Sequence, residues 1–321
     1  MPVITESTYS PPILCSNPHF QTIVPSLLRR VAGVNYERER IDTPDGDFLD
    51  LDWSRVGSNR LAVVLHGMEG DSKRHYVLGM VKALNRGGWD AVALNFRGCS
   101  GECNRKPRFY HSGDTEDLHT AVLHVAAGNE YSKLALIGFS LGGNVILKYL
   151  GERDGALHPL IKKAVTFSVP CDLTACEVKI TQSGAGLYLK RFLRLLHNKI
   201  KMKMQVMPGS VDDNGYNQIS TLREFDNRYT APLHGFKDAL DYYEKSSCGP
   251  FLLNISVPTL LVNSADDPFL AESAYPVREA RENPYFFLEV TDFGGHVGFF
   301  AVNRLGEYWS ESRALEFLND R

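Results

Sequence analysis

The stretch GFSLG, residues 138–142, places a serine between two glycines, after an apolar run and before a segment with helical spacing. A serine in this pattern lies at a strained strand-to-helix turn, and glycines are expected two residues to either side because side chains there would collide. A helix that begins at Leu141 would direct its N–H groups toward negative charge near the Ser140 hydroxyl. The pentapeptide is equally compatible with a plain structural turn, so a nucleophilic role for Ser140 depends on partners elsewhere.

A serine nucleophile needs a base, and the base needs a third group that fixes its tautomer. Where the serine lies at such a turn, the acid and then the histidine follow it along the chain. Two later strands end in suitable groups, because Asp266 and Asp267 follow one and His296 follows the next. We therefore predict a triad of Ser140, His296 and one of the two aspartates, and the residues alone leave open which one.

The oxygen that becomes negative during acyl transfer needs two backbone N–H donors. One is expected at Leu141, directly after the serine, and the other in the loop after the first parallel strand. That loop has the sequence HGMEGD at residues 66–71. We predict the Met68 N–H as the second donor, because Gly67 and Gly70 leave room for a substrate beside it.

These groups require a frame that brings the ends of several strands together. From residue 61 onward, short apolar runs alternate with segments of helical spacing, which predicts an α/β fold with a mostly parallel sheet and helices on both faces. Ligands of such sheets bind beyond the carboxyl ends of the strands, where the predicted triad falls. The alternation stops over about 171–250, which predicts a helical cap insertion. Residues 1–34 are expected to form an N-terminal arm of a single domain spanning 1–321.

One segment of the insertion, residues 187–204, is basic and amphipathic. An anionic membrane surface could bind such a helix. We favour a cap helix over the active site, because the insertion must bury apolar surface, and an apolar cap favours an acyl chain as part of the substrate. The predicted inward face comprises Leu187, Phe192, Leu195, Leu196, Ile200 and Met204. The rest of the helix surface is assigned to Lys190, Arg191, Arg194, Lys199, Lys201 and Lys203.

Composition argues against several other classes of protein. A net charge of −3 gives no basic excess of the kind that nucleic-acid-binding domains carry. The six cysteines include no CxxC pair, which predicts reduced thiols and no structural zinc. The acids and histidines of HSGDTEDLH (111–119) fit no metal template, and no glycine-rich nucleotide motif occurs, so neither metal nor cofactor is expected. The start lacks signal-peptide features and no apolar run could span a bilayer, which predicts a cytoplasmic protein.

Several longer stretches form a recognisable set. They are NPHFQTIVP, LHGMEGDSKRHY, NFRGCSGE, YHSGDTEDL, GFSLGGNVILKYLGE, FDNRYTAPLHGFKDALDYYEKSS, VPTLLVNSADDPF and GGHVGFF. Together they resemble the α/β-hydrolase superfamily, and within it the YheT-like branch of bacterial hydrolases, yeast medium-chain ethyl-ester synthase/esterases and animal acylglycerol lipases. The resemblance implies an α/β-hydrolase fold and a triad of Ser140, Asp267 and His296, which decides between the aspartates. The chain differs from the yeast and animal members by lacking an N-terminal membrane segment, which favours the soluble bacterial form.

The sequence thus predicts a serine hydrolase that cleaves short- to medium-chain carboxylic esters through an acyl-enzyme and needs no cofactor. An acyltransferase that passes the acyl group to an alcohol would use the same triad, and the balance depends on whether the site excludes water. A non-catalytic protein that binds acyl ligands on the same fold is the alternative from another class, and a complete triad argues against it. A small ester is the expected partner, with at most peripheral membrane contact through the basic helix.

Overall fold

The computed structural model of this protein describes residues 2–12, 15–128, 130–301 and 303–320. Its strands are β1 (Val3–Ile4), β2 (Glu37–Asp42), β3 (Phe48–Ser54), β4 (Arg60–Leu65), β5 (Asp90–Asn95), β6 (Lys133–Phe139), β7 (Ile161–Phe167), β8 (Thr259–Ser264) and β9 (Phe286–Thr291). They form one sheet in the order β1-β9-β8-β7-β6-β4-β5-β3-β2. The β2–β3 and β3–β5 pairs are antiparallel, and the other neighbouring strands are parallel.

The helices lie between and beyond these strands. They are α1 (Pro18–Leu28), α2 (His75–Arg86), α3 (Thr115–Ala127), α4 (Leu141–Glu152), α5 (Leu173–Gln182), α6 (Leu187–Val206), α7 (Leu222–Phe225), α8 (Ala231–His234), α9 (Ala239–Ser246), α10 (Val277–Glu282) and α11 (Trp309–Asn319). A π-helical turn covers Asp226–Thr230. Within the described ranges, no helix combines the length and the apolar character needed to cross a membrane.

The central strands are buried on both faces because alternate residues enter two separate cores. In β4, Leu61, Val63 and Leu65 pack into the core shared with α3 and α4, while Ala62 and Val64 pack into the core shared with α2 and α11. Successive side chains of a strand point to opposite faces, so a continuous apolar run is the expected sequence for a covered parallel sheet. The predicted fold, a mostly parallel sheet with helices on both faces, is confirmed.

Between β7 and β8 the strand–helix alternation gives way to the helices α5 to α9, which we call the helical insert (residues 173–254). The insert has an apolar cluster of its own. This cluster joins α6 to the segment around α7 and to Phe109 of the body. Burial contributes about 1.5–3 kcal/mol for each large apolar side chain. It therefore stabilises the packing of the insert against the body.

Helix α6 turns inward part of the predicted face, because Leu196 and Ile200 are buried and Phe192 and Met204 pack against the same cluster. Its buried apolar residues are Leu189, Leu193, Leu196 and Ile200, with Tyr188 at the start. Leu187, predicted to lie inward, is 66% exposed. Lys199 and Lys203, predicted to lie on the outer surface, are buried because the Lys199 ammonium pairs with Glu69 and the Lys203 ammonium donates to the carbonyl of Asn104. Both lysines therefore satisfy their charged ends inside the protein.

The N-terminal arm contains two regular elements that periodicity did not reveal. Strand β1 pairs in parallel with β9 at the edge of the sheet. Helix α1 begins after Asn17, whose side chain accepts hydrogen bonds from the His19 and Phe20 N–H groups, and Pro18 occupies the first helical turn. An Asn cap followed by Pro is a common helix-start signal, so the stretch NPHF could have predicted where α1 begins.

Candidate active site

Ser140 lies at the turn between β6 and α4, with φ 53° and ψ −120°. A positive φ is uncommon for a residue other than glycine, and it is held here by the Ser140 N–H, which donates to the Phe167 carbonyl at 2.8 Å. A Cβ atom at Gly138 would lie 2.7 Å from the carbonyl oxygen of Gly142, and one at Gly142 would lie 2.5 Å from that of His66. Backbone packing therefore requires both glycines of the pentapeptide.

The imidazole of His296 connects Ser140 to Asp267. Its Nε2 lies 2.9 Å from Ser140 Oγ, and its Nδ1 lies 2.9 Å from Asp267 Oδ2 and 3.2 Å from Oδ1. With the proton on Nδ1, the ring donates to the carboxylate and accepts from the serine hydroxyl. The Asp267 side chain is 0% exposed and that of His296 is 12% exposed, and the Phe269 ring packs 4.3 Å from the imidazole centroid. The structure thus brings the three predicted triad residues into one hydrogen-bonded series.

Asp266, the other candidate acid, contacts the backbone of the histidine loop instead of the imidazole. Its Oδ1 accepts the Gly295 N–H at 2.9 Å, and the Ser264 hydroxyl donates to the Gly295 carbonyl at 2.8 Å. Burial raises the pKa of Asp266. The two adjacent aspartates therefore have different contacts, and Asp266 positions the loop that carries His296.

Two further hydroxyl groups hold the same loop. Thr22 of α1 accepts the His296 N–H at 2.9 Å, and Ser168, just after β7, accepts the Val297 N–H at 2.9 Å. Val297 has a φ of 60°, an unfavourable value for a β-branched residue that surrounding contacts must maintain. Sequence reasoning missed Thr22 and Ser168. The α1 start signal could have located the helix, although no local pattern links Thr22 to a histidine far along the chain.

The predicted oxyanion donors, the N–H groups of Met68 and Leu141, have no hydrogen-bond acceptor in the part of the chain that the structure describes. Among the described residues, the Met68 N–H donates no hydrogen bond, although its neighbours in the loop do. The Leu141 N–H is the first of α4 and has no acceptor within the helix. Met68, Leu141 and Ser140 line one cavity. The bonded amides of the loop are Gly67 N–H to the Tyr76 hydroxyl (3.0 Å), Glu69 N–H to the Tyr110 hydroxyl (2.8 Å) and Gly70 N–H to the Gly67 carbonyl (3.0 Å).

Two buried side chains fix this loop from behind. His66 Nδ1 donates to the Gly67 carbonyl at 2.7 Å, and its Nε2 accepts the Phe96 N–H at 3.2 Å. Burial lowers the pKa of His66 to about 3, so the ring stays neutral. Its two hydrogen bonds hold the loop in position. Lys199 of the insert places its Nζ 2.7 Å from Glu69 Oε1, which ties the loop to α6.

Ser140 opens onto two spaces. The inner compartment, about 120 Å³, is lined mainly by buried side chains of the insert, including Leu196, Ile200 and Phe225, together with Asp226. The outer cleft, about 530 Å³, is lined by His296 and by groups from α1, the start of α2 and α6. Ser140 and Met68 line both spaces, whereas His296 lines only the outer cleft. Burial raises the pKa of Asp226 to about 6.

The polar cluster around residues 111–119 has a structural role. Arg97 is buried, and its guanidinium lies 2.7 Å from Asp117 and 3.0 Å from Asp47. Arg108 pairs with Asp114 at 3.0 Å. Each acid that could have suggested a metal ligand is thus a partner of an arginine.

Comparisons with known proteins agree with this geometry. A family model described as "alpha/beta hydrolase fold" matches residues 63–301. "Putative esterase YheT" of Escherichia coli (strain K12) is 36% identical over 310 residues, covering 94% of this chain and 90% of that protein. Human "Phospholipase ABHD3" is 32% identical over 308 residues, covering 93% and 75%.

Among solved structures, the Pyrococcus furiosus esterase Pf2001 in space group P21 shares the fold. It superposes with a TM-score of 0.60 at 20% identity, covering 90% of this chain and 96% of that one. The resemblance that the sequence motifs predicted is confirmed by the family match and by both sequence relatives. The chain belongs to the α/β-hydrolase family, within its YheT-like branch, and is a hydrolase.

Proposed function

We propose that this protein hydrolyses short- to medium-chain carboxylic esters through an acyl-enzyme on Ser140. The observation that carries the proposal is the unbroken series from Ser140 Oγ through His296 to Asp267. The Met68 and Leu141 N–H groups, which have no acceptor among the described residues, line the same cavity as Ser140. A nucleophile, a base, an orienting acid and oxyanion donors are the parts that acyl transfer to a serine requires.

In the first half-reaction, His296 Nε2 takes the hydroxyl proton as Ser140 Oγ attacks the carbonyl carbon. Asp267 stabilises the imidazolium that forms, and the oxyanion accepts hydrogen bonds from the Met68 and Leu141 N–H groups. His296 then gives its proton to the alcohol oxygen, the ester bond breaks and the alcohol leaves. In the second half-reaction, His296 removes a proton from water as the water oxygen attacks the acyl carbon. His296 then returns that proton to Ser140 Oγ, the bond between Oγ and the acyl carbon breaks, and the carboxylic acid leaves.

The two spaces around Ser140 assign the two parts of the ester. The alcohol must receive its proton from His296, which lines the outer cleft, so the alcohol part occupies that cleft and the acyl part the inner compartment. A cavity of about 150 Å³ holds a benzene molecule. The inner compartment, at about 120 Å³, therefore suits acyl chains of roughly four to six carbons by the same comparison.

The helical insert acts as a cap in this proposal. It supplies Leu196 and Ile200 to the inner compartment and Phe192 to the outer cleft, and with the N-terminal arm it forms part of a single domain. The outer cleft is also lined by exposed side chains, such as Leu27 at 53%, so bulk water reaches the acyl-enzyme. Access of water favours hydrolysis over acyl transfer to an alcohol.

A fluorophosphonate probe followed by peptide mapping tests the nucleophile. We expect labelling of Ser140, and we expect Ser140→Ala to lower kcat for p-nitrophenyl butyrate by about 10⁶-fold, as removal of a triad serine does elsewhere. Ser132→Ala, at the opposite end of β6, is the matched control and should retain wild-type activity. Labelling of a different residue, or full activity in Ser140→Ala, would contradict the proposal. Among p-nitrophenyl esters of graded acyl length, kcat/KM should peak near four to six carbons, about the length that the inner compartment admits.

A further inference from the structure

The outer cleft carries positive charge that cleavage of a simple ester does not use. Among the described residues, the charged groups of its lining divide into paired and unpaired sets. Arg29 pairs with Glu311 at 2.6 Å, and Glu69, the one carboxylate in the lining, pairs with Lys199 at 2.7 Å. The others, which we call the cleft cations, form no ion pair with a described carboxylate. The cleft cations are Arg30, Lys73, Arg74 and Arg191.

These cations come from three separate parts of the chain. Arg30 follows α1, Lys73 and Arg74 precede α2, and Arg191 lies on α6 of the insert. A basic helix face turned to solvent would not gather cations from the body and from the insert around one concave surface. A cleft lined by charges of one sign concentrates its field inside the cleft and attracts oppositely charged ligands.

Two of the cations have donors available for a ligand. Arg74 Nη2 donates to the Glu69 carbonyl at 2.6 Å, which places the guanidinium beside the oxyanion loop. The Arg191 side chain donates no hydrogen bond to a described residue, and burial together with the charges of Arg74 and Arg194 lowers its pKa. Like charges that act on one another without a counter-ion are unfavourable, and an anionic ligand bound by both would offset that repulsion.

The cations face the alcohol part of the substrate, because the alcohol part occupies the space that His296 lines. We propose that the alcohol part carries an anionic group, a carboxylate or a phosphate, bound by Arg191, Arg74 and Lys73. This inference rests on the proposed function and adds the charge of the leaving group to it.

Matched esters test the inference in the full-length protein. One is the butyrate ester of 4-hydroxybenzoate and the second is the butyrate ester of 4-hydroxybenzamide, which replaces the carboxylate with a neutral amide of similar shape. A third ester carries a phosphate at the same position and distinguishes the two anions. Charge-assisted hydrogen bonds favour an anion by about tenfold or more, so we expect kcat/KM to be higher by that factor for at least one anionic ester. Equal kcat/KM for all three esters would overturn the inference.

Variants then assign the preference to the cleft. The double variant Lys73→Gln/Arg191→Gln should bring the ratio of anionic to neutral kcat/KM toward one, and raising the salt concentration should lower the wild-type ratio because screening weakens exposed charge interactions. Lys201→Gln, on the same helix and outside the lining, removes one charge and should keep the wild-type ratio. A ratio that falls equally in Lys201→Gln would overturn the assignment to the cleft.

Two measurements distinguish the inference from membrane binding by the cleft cations and from failure of the proposed function. If wild type prefers no anionic ester but sediments with phosphatidylglycerol vesicles, and the double variant does not, the cations serve a membrane surface and the inference is wrong. If no ester is hydrolysed, the proposed function is wrong, and the inference must be tested by binding. Calorimetric binding of 4-hydroxybenzoate then decides the inference alone, because tighter binding to wild type than to the double variant supports it and equal binding overturns it.

Discussion

Replacing Asp267 with asparagine tests the link between the acid and the base most directly. The change keeps the shape of a side chain that is fully buried and lies 2.9 Å from His296 Nδ1. The asparagine amide can donate a hydrogen bond to Nδ1, which would place the imidazole proton on Nε2. Because Nε2 faces Ser140, it could then no longer accept the serine proton and act as a base. The imidazolium that forms during attack would also lose its counter-charge.

The structure gives the size of the second effect. At an effective dielectric constant of about 20, a unit charge pair at this separation interacts by about 6 kcal/mol. Because about 1.4 kcal/mol corresponds to a factor of ten in rate, Asp267→Asn should lower kcat/KM by about 10⁴-fold. The assay is steady-state hydrolysis of p-nitrophenyl butyrate, with thermal unfolding measured alongside to show that the variant is folded.

Asp266→Asn is the matched control, because it makes the same chemical change one residue away. The asparagine keeps an oxygen that can accept the Gly295 N–H, and a neutral hydrogen bond of this kind contributes only about 1 kcal/mol, so we expect a loss below about tenfold. The reasoning is refuted if Asp266→Asn is the more damaging change. It is equally refuted if folded Asp267→Asn keeps more than about a tenth of the wild-type rate.

Three other changes probe the parts that support the site. Gly142→Ala would place a Cβ 2.5 Å from a carbonyl oxygen and should cost about 1–3 kcal/mol of unfolding free energy in urea, whereas Gly128→Ala, with only ordinary contacts, should not; equal effects would count against the steric argument. Lys199→Met leaves the Glu69 carboxylate buried without its partner and should destabilise by about 3–5 kcal/mol, and adding Glu69→Gln should recover most of that in a double-mutant cycle; additive losses would contradict the pairing. Burial raises the pKa of Asp226 from 3.8 to about 6. The free energy of unfolding therefore falls as the pH rises from the lower of these values to the higher, because the folded protein must hold a buried carboxylate. Above the higher value the loss is complete, on the order of 3 kcal/mol. The gain in Tm from Asp226→Asn should therefore grow from near zero at about pH 4 to its maximum near pH 7, and a gain independent of pH would exclude this origin.

The strand ends could be predicted from the sequence because each depends on local pattern. The apolar run before Ser140 and the glycines around it define a turn, and the same holds for the strand that ends before Asp266 and Asp267. The choice between those aspartates could not be made locally. It depends on which carboxylate the backbone directs toward an imidazole 29 residues later, and the family resemblance supplied that answer.

Burial of charged residues was the main feature that the sequence could not reveal. The amphipathic pattern of α6 predicts Lys199 on the outer surface, and a lysine is costly to bury alone. Its partner, Glu69, lies on a loop of the body, and the pair forms only after the insert has packed over the sheet.

The hydrogen bond from the His296 N–H to Thr22 connects α1 to the proposed site. The stretch that matches the family model begins at residue 63, and Ser140, Asp267 and His296 all lie within it. A version trimmed to that stretch would keep the three residues but lose α1, and with it one of the hydrogen bonds that hold the histidine loop. Deletion mapping, fusion at the N-terminus and transplantation of the site into another scaffold should therefore keep residues 18–28 together with the site.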